Sequence, residues 1–172
     1  MITITKYHAE FETFKNLVAA NDKKKESNTN ICNIVYCHND KLICTDGFRL
    51  HIINKTDDFI NDTKYNIITN TAKEIIFNEA KEQKSYPDYN CILPDYSMYT
   101  IVDDITHIIS KDTPNTSTVL HKISKTGNCI NYKYLECLNV MDIEVWTCKE
   151  PNKPVVIKNE DITIIIMAII IK

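Results

Sequence analysis

The sequence predicts an α+β domain in which helices pack on one face of antiparallel sheet. Three observations predict it. Short runs alternate apolar and polar residues between turn residues, as half-buried antiparallel strands do. Tyr7, Phe11, Phe14, Leu17 and Val18 recur at helical spacing and form one apolar face. The order strand, helix, three strands is read twice, over about 1–55 and 115–172, with 56–114 between. Each half has one apolar sheet face and one amphipathic helix. Neither can bury both alone, so the halves are expected to pack as a single domain over residues 1–172.

Ile2 and Ile4 alternate with Thr3 and Thr5, a first strand. The helix follows over Tyr7–Ala20, and the polar stretch from Asn21 to Asn30, with Lys23, Lys24 and Lys25, reads as a loop. Strands are expected at 31–37, 42–45 and 50–54. His38-Asn39-Asp40 turns between the first two, and Asp46-Gly47 between the next. In the middle segment Asp57-Asp58 and Asn61-Asp62 mark turns, 64–68 suits a strand and 72–82 suits a helix. Pro87 and Pro94 interrupt regular structure, and 99–109 fits strand or helix. The second half reads as a strand at 117–124, a helix over 130–141 with Leu135 and Leu138 inward, then strands at 143–148, 154–157 and 162–170.

Bulk properties narrow the function. With 44% hydrophobic and 25% charged residues, a soluble globular domain is expected. Gly47 and Gly127 are the only glycines, which argues against a Gly-rich phosphate loop. A net charge of −3 gives no support to tight DNA binding through the field of the whole chain. The cysteines (32, 37, 44, 91, 129, 137 and 148) contain no Cys-x-x-Cys pair and mostly sit in apolar runs, so buried thiols and a cytoplasmic location are expected. The N-terminus lacks a secretory apolar core, and the apolar run from Ile162 to Ile171 is too short to span a bilayer as a helix.

Four segments carry a resemblance. Thr45-Asp46-Gly47-Phe48-Arg49-Leu50 resembles the Thr-Asp-Gly-His-Arg-Leu signature of the bacterial DNA polymerase III beta subunit (sliding clamp) family, with Phe48 where His is usual. Tyr86-Pro87-Asp88-Tyr89 followed by Ile92-Leu93-Pro94 resembles that family's Phe-Pro-Asp-Tyr…Leu-Pro segment. Ile166-Met167-Ala168-Ile169 resembles its terminal Val-Met-Pro-Met, with Ala168 in place of proline. Asn131-Tyr132-Lys133-Tyr134-Leu135 resembles the start of its last helix. The resemblance implies a DNA-clamp-like fold in a single-domain relative, of the kind phages and plasmids carry. In the family three such domains form a chain and two chains a ring, so a ring here would need a homo-oligomer or a longer partner.

The resemblance also implies the sites. A polymerase or other replication protein would insert a short peptide into an apolar pocket of Thr45, Gly47, Phe48, Arg49, Leu50, Pro94, Ile165, Ile166, Met167 and Ala168. Arg49 would hold a carboxylate or carbonyl at its rim. The same residues also suit an ordinary turn, core and ion pair. Lys6, Lys15, Lys23, Lys24, Lys25 and Lys133 are candidates for sequence-independent contact with duplex DNA, opposed by Glu10, Glu12 and Glu136 nearby.

No catalytic or cofactor motif is found. The histidines (8, 38, 51, 107 and 121) lack metal-ligand spacing, and neither Cys32, Cys37, His38 and Cys44 nor the pairs Asp57-Asp58 and Asp103-Asp104 have the context of a metal site. The expected function is therefore a non-catalytic, clamp-like replication accessory protein without cofactor or membrane contact. The alternatives are a monomeric or dimeric adaptor or decoy that binds replication proteins without DNA and, last, a metal-dependent nuclease or a structural protein.

Overall fold

The first strand, β1 (Ile2–Thr5), pairs antiparallel with a strand that the spacing had assigned to a helix. Residues 72–82 contain β6 (Glu74–Glu79), not a helix. Its Ile75 and Phe77 are fully buried two residues apart, the period of a strand, and a neighbour on each side supplies the ladder. The computed structural model describes residues 1–21, 34–81, 86–102, 108–109, 115–136 and 138–169. The chain divides into two units, Met1–Pro87 and Asp88–Lys172.

The first unit holds β1, helix α1 (Phe11–Val18), β2 (Ile34–His38), β3 (Lys41–Thr45), β4 (Arg49–Asn54), β5 (Thr63–Asn70) and β6. Its strands lie in the order β1-β6-β5-β2-β3-β4, and the pairings described are antiparallel. The β2–β3 hairpin closes through Asn39 and Asp40, both at positive φ (49° and 58°), the geometry of a two-residue type I′ turn. Helix α1 packs on one face, against β3, β4, β1 and β5. Phe11, Phe14, Leu17 and Val18 face the sheet as expected, but the helix begins at Phe11 and Tyr7 is 85% exposed.

An aromatic cluster fills the space between helix and sheet. Phe14 stacks on Phe59 at 5.7 Å, and Phe77 and Tyr65 meet Phe59 edge-on at 5.4 and 5.0 Å. The Tyr65 hydroxyl accepts a hydrogen bond from the Ile60 amide (2.9 Å), so its polar end is satisfied where the ring is buried.

The second unit holds β7 (Tyr99–Ile101), β8 (Ile108–Ile109), α2 (Asn115–Lys125), α3 (Lys133–Glu136), β9 (Val140–Met141), β10 (Glu144–Cys148), β11 (Val155–Lys158) and β12 (Ile162–Ile166). Its sheet runs β12-β11-β10-β7, and β8 pairs with β9. Two expectations are corrected here. Residues 117–124 lie in α2, where Val119 and Ile123 are buried four residues apart, one helical turn. The helix expected over 130–141 is a single turn, α3, followed by β9; Leu135 and Leu138 are nevertheless buried. The strands expected at 143–148 and 154–157 are present as β10 and β11, whereas the one expected over 162–170 ends at Ile166; Val155, Ile157, Ile162, Ile164 and Ile166 are buried.

Among the described residues no helix is long and apolar enough to cross a membrane. Cys37, Cys44 and Cys148 are buried thiols outside any disulfide, and burial pushes the Cys37 thiol up, away from reactivity; Cys91 is exposed. Cys32 and Cys137 lie outside the described residues.

Truncation of the aromatic cluster should cost the first unit most of its stability. Phe77→Ala is expected to destabilise by about 3–5 kcal/mol in a urea unfolding curve. A loss below about 1 kcal/mol would show that the cluster is not its centre.

Candidate functional site

The segment Thr45-Asp46-Gly47-Phe48-Arg49-Leu50 links β3 to β4, and its side chains lock its own backbone. Asp46 Oδ1 accepts the amides of Phe48 (2.9 Å) and Arg49 (3.0 Å). Thr45 Oγ1 accepts the Gly47 amide (3.0 Å) and donates to the Arg49 carbonyl (2.6 Å). These are side-chain mimics of a backbone turn, which Asp and Thr make readily. Gly47 sits at φ +86° with nothing within 4 Å of where a Cβ would lie. Backbone conformation, not space, demands glycine there.

A buried ion pair then ties this turn to the helix. Arg49 Nε donates to Asp46 Oδ2 at 3.0 Å, with side chains only 9% and 6% exposed. The guanidinium also donates to the Ala19 carbonyl, at the end of α1. Two residues on, and on the same side of β4, His51 Nδ1 is 2.6 Å from the Asn16 carbonyl, which assigns its proton to Nδ1. Both side chains of β4 thus satisfy carbonyls that the last turn of a helix leaves open, and a cation at that end is favoured by the helix dipole. Sequence reasoning had counted His51 as one of five scattered histidines. Its position two residues after Arg49 in a strand was the available signal.

The ten residues expected to line a peptide pocket fall into two groups. Thr45, Gly47, Phe48, Arg49 and Leu50 belong to the first unit, and Pro94, Ile165, Ile166, Met167 and Ala168 to the second. Leu50, Ile165 and Ile166 are core residues with at most 1% exposure. Arg49 is turned inward onto Asp46 and Ala19. The residues at the surface are Gly47, Phe48 and Met167, with Thr45, Pro94 and Ala168 half-buried. Phe48 is 49% exposed on the crest of the locked turn. Met167 is 40% exposed beyond the end of β12, in a tail held where the Ile169 amide donates to the Cys129 carbonyl (2.6 Å).

The lysines expected at DNA are not equivalent. Lys6 and Lys133 are exposed, and Lys6 lies 4.9 Å over the Tyr7 ring. Lys15 Nζ donates to Asn70 Oδ1 and to the Thr71 carbonyl (3.3 Å), so this ammonium serves the β5–β6 end of the sheet. Lys23, Lys24 and Lys25 lie outside the described residues. Among the described residues no group of three or more His, Cys, Asp or Glu could hold a metal ion.

At the level of sequence, neither a protein-family model nor a curated protein matches the chain. Solved structures do. The DNA polymerase III subunit beta of Borrelia burgdorferi superposes with a TM-score of 0.59 at 13% identity, covering 100% of this chain and 65% of that one. The DNA polymerase sliding clamp of Bacillus subtilis gives 0.55 at 14% identity, covering 99% and 64%. The Helicobacter pylori beta clamp, solved bound to a DNA ligase peptide, gives 0.52 at 15%, covering 92% and 62%. The chain therefore has the sliding-clamp fold, and it spans less than two thirds of the length of these clamps.

Two outcomes follow from the turn and its histidine. Asp46→Ala should destabilise by roughly 3–5 kcal/mol, because it strands a buried guanidinium and two backbone amides; a thermal or urea midpoint like that of the parent would refute this. Burial, and then the Arg49 charge, lowers the His51 pKa from 6.5 to about 3. The unfolded chain therefore takes up a proton on this residue below about pH 6.5 that the folded chain refuses. Stability is full above that pH and falls as pH drops toward the folded pKa, by about 2 kcal/mol between pH 7 and pH 5 from His51 alone. His51→Gln should remove that part of the acid-side slope, measured by urea unfolding across the range.

Proposed function

We propose that this chain, which carries the sliding-clamp fold, is a non-catalytic, clamp-like accessory protein of DNA replication that binds a short peptide of a polymerase or another replication protein. The observation that carries the reading is the fold likeness, which takes in the whole of this chain and includes a clamp solved with a DNA ligase peptide. The locked Asp46–Arg49 turn supports it. A backbone held by four side-chain hydrogen bonds presents Phe48 without further ordering cost. The proposed peptide contacts are taken unit by unit: Phe48 and Gly47 on the first, and Met167, Ala168 and Pro94 on the second. Met167 supplies an adaptable apolar surface. Leu50, Ile165 and Ile166 act beneath them as the core that fixes their backbone. Arg49 positions the turn. The mechanism is a raised effective concentration of the partner near its template, with no bond made or broken.

Two modes of action are compatible with this chemistry. In one, several copies assemble and touch duplex DNA through Lys6, Lys133 and the run Lys23–Lys25, with no sequence preference. In the other, one or two copies serve as an adaptor or decoy for replication proteins without DNA. The net charge of −3 and the commitment of Lys15 to Asn70 favour the adaptor.

Light scattering with and without duplex DNA separates the two modes. The ring requires a closed species of several 19.9 kDa copies that shifts to higher mass on DNA at low salt. A single copy at every concentration supports the adaptor. For the peptide, Phe48→Ala and Met167→Ala should each weaken binding of a clamp-binding peptide about tenfold with an unchanged melting temperature. Absence of saturable peptide binding to the parent chain would overturn the function.

A further inference from the structure

We propose that the half-exposed surface at the β7 end of the second unit's sheet, around Trp146 and Ile101, docks a short lysine- or arginine-rich segment of a partner protein. Its residues are other than the peptide contacts above, and the proposal does not rest on the clamp reading.

Trp146 of β10 lies directly opposite Ile101 of β7, so the two share a face. Glu144 is two residues from Trp146 on β10 and directly opposite Lys158 of β11, which puts all four on that face. Tyr96 completes it, edge-on to Trp146 at 5.5 Å. Ile101, Met98 and Tyr96 remain 45%, 44% and 40% exposed, at or beside β7, the last strand of the sheet among the described residues. A half-exposed aromatic and aliphatic surface of this kind suits the long aliphatic stems of lysine and arginine.

Charge complementarity names the occupant. Beside the apolar surface is a depression of about 620 Å³ lined by Asp142, Glu144, Lys158, Asn159, Glu160 and Asp161. Four carboxylates face one ammonium there, and that ammonium is already engaged. Lys158 Nζ stands 4.5 Å over the Trp146 ring, 5.1 Å over Tyr96 and 3.6 Å from a Glu144 oxygen. The chain's own lysine thus demonstrates that this aromatic pair with its carboxylate receives an ammonium group. Asn159 Oδ1 accepts the amides of Asp161 and Ile162 (both 2.9 Å), which shapes the acidic turn. The surplus negative charge repels nucleic acid and attracts a cationic peptide. A volume in the range of about 300–1,000 Å³ takes a few side chains, not a domain.

Trp146 is the only tryptophan of the chain, so its emission reports on this site alone. The probe is a blocked peptide of four lysines and one leucine, titrated into the full chain at low salt. A saturable change in emission is expected, and none with the same peptide acetylated at every lysine. The combined variant Asp142→Asn, Glu160→Gln, Asp161→Asn should weaken binding roughly tenfold, with an unchanged melting curve. Glu160→Gln alone, together with a salt titration of the parent chain, gives the same reading should the triple variant not fold. No saturable change, equal binding of the acetylated peptide, or indifference to both salt and the variants would overturn the proposal. So would an emission change driven by protein concentration alone with a doubled mass in light scattering, because a second copy would then cover the face.

Discussion

The buried pair of Asp46 and Arg49 is the contact on which the first unit's organisation turns. Its carboxylate shapes a three-residue connection, and its guanidinium reaches the end of α1. A charge pair taken out of water is expensive unless every donor and acceptor finds a partner. Here Asp46 holds two amides as well as the arginine, and the arginine holds a helix-end carbonyl as well as the aspartate. The cost of desolvation is thereby turned into position. The β3–β4 corner has one conformation, and α1 is set over β4 at one height, which in turn sets Phe14 against Phe59 and Phe77.

His51 shows the same constraint in neutral form. It lies under the helix with its Nδ1–H on the Asn16 carbonyl, and its Nε2 has no hydrogen-bond partner among the described residues. A proton on Nε2 would place a second buried cation beside Arg49. The fold therefore depends on keeping this imidazole neutral. The turn, its arginine and its histidine form one polar seam between helix and sheet, and the exposed Phe48 stands at its outer end.

Part of this was legible in the residues. Alternation at Ile2–Thr5 and the 3–4 spacing of Phe11, Phe14, Leu17 and Val18 located β1 and α1, because local geometry alone decides which side chains share a face. The Thr-Asp-Gly run located the corner, since its chemistry is local. Residues 74–79 and 115–125 were not legible in this way. Ile75, Ile76 and Phe77 are a short apolar run that suits helix or strand equally, and β6 is decided by β1 and β5 on either side. Val119 and Ile123 alone carry the described inward face of α2, too few residues to set a period.

The residues of the candidate site divide along the same line. Composition and motif determined that the overall charge is negative and that a turn stands between β3 and β4. Which members of that turn face solvent was decided by tertiary structure. Arg49 follows Phe48 by one residue, and the pleat sends successive side chains to opposite faces. One becomes a buried tie and the other an exposed crest only because α1 lies over one face and ends in an open carbonyl. Likewise Trp146 and Lys158 are twelve residues apart in sequence and say nothing about one another there. The β10–β11 register brings them together, since pairing between strands is a contact that no local pattern encodes.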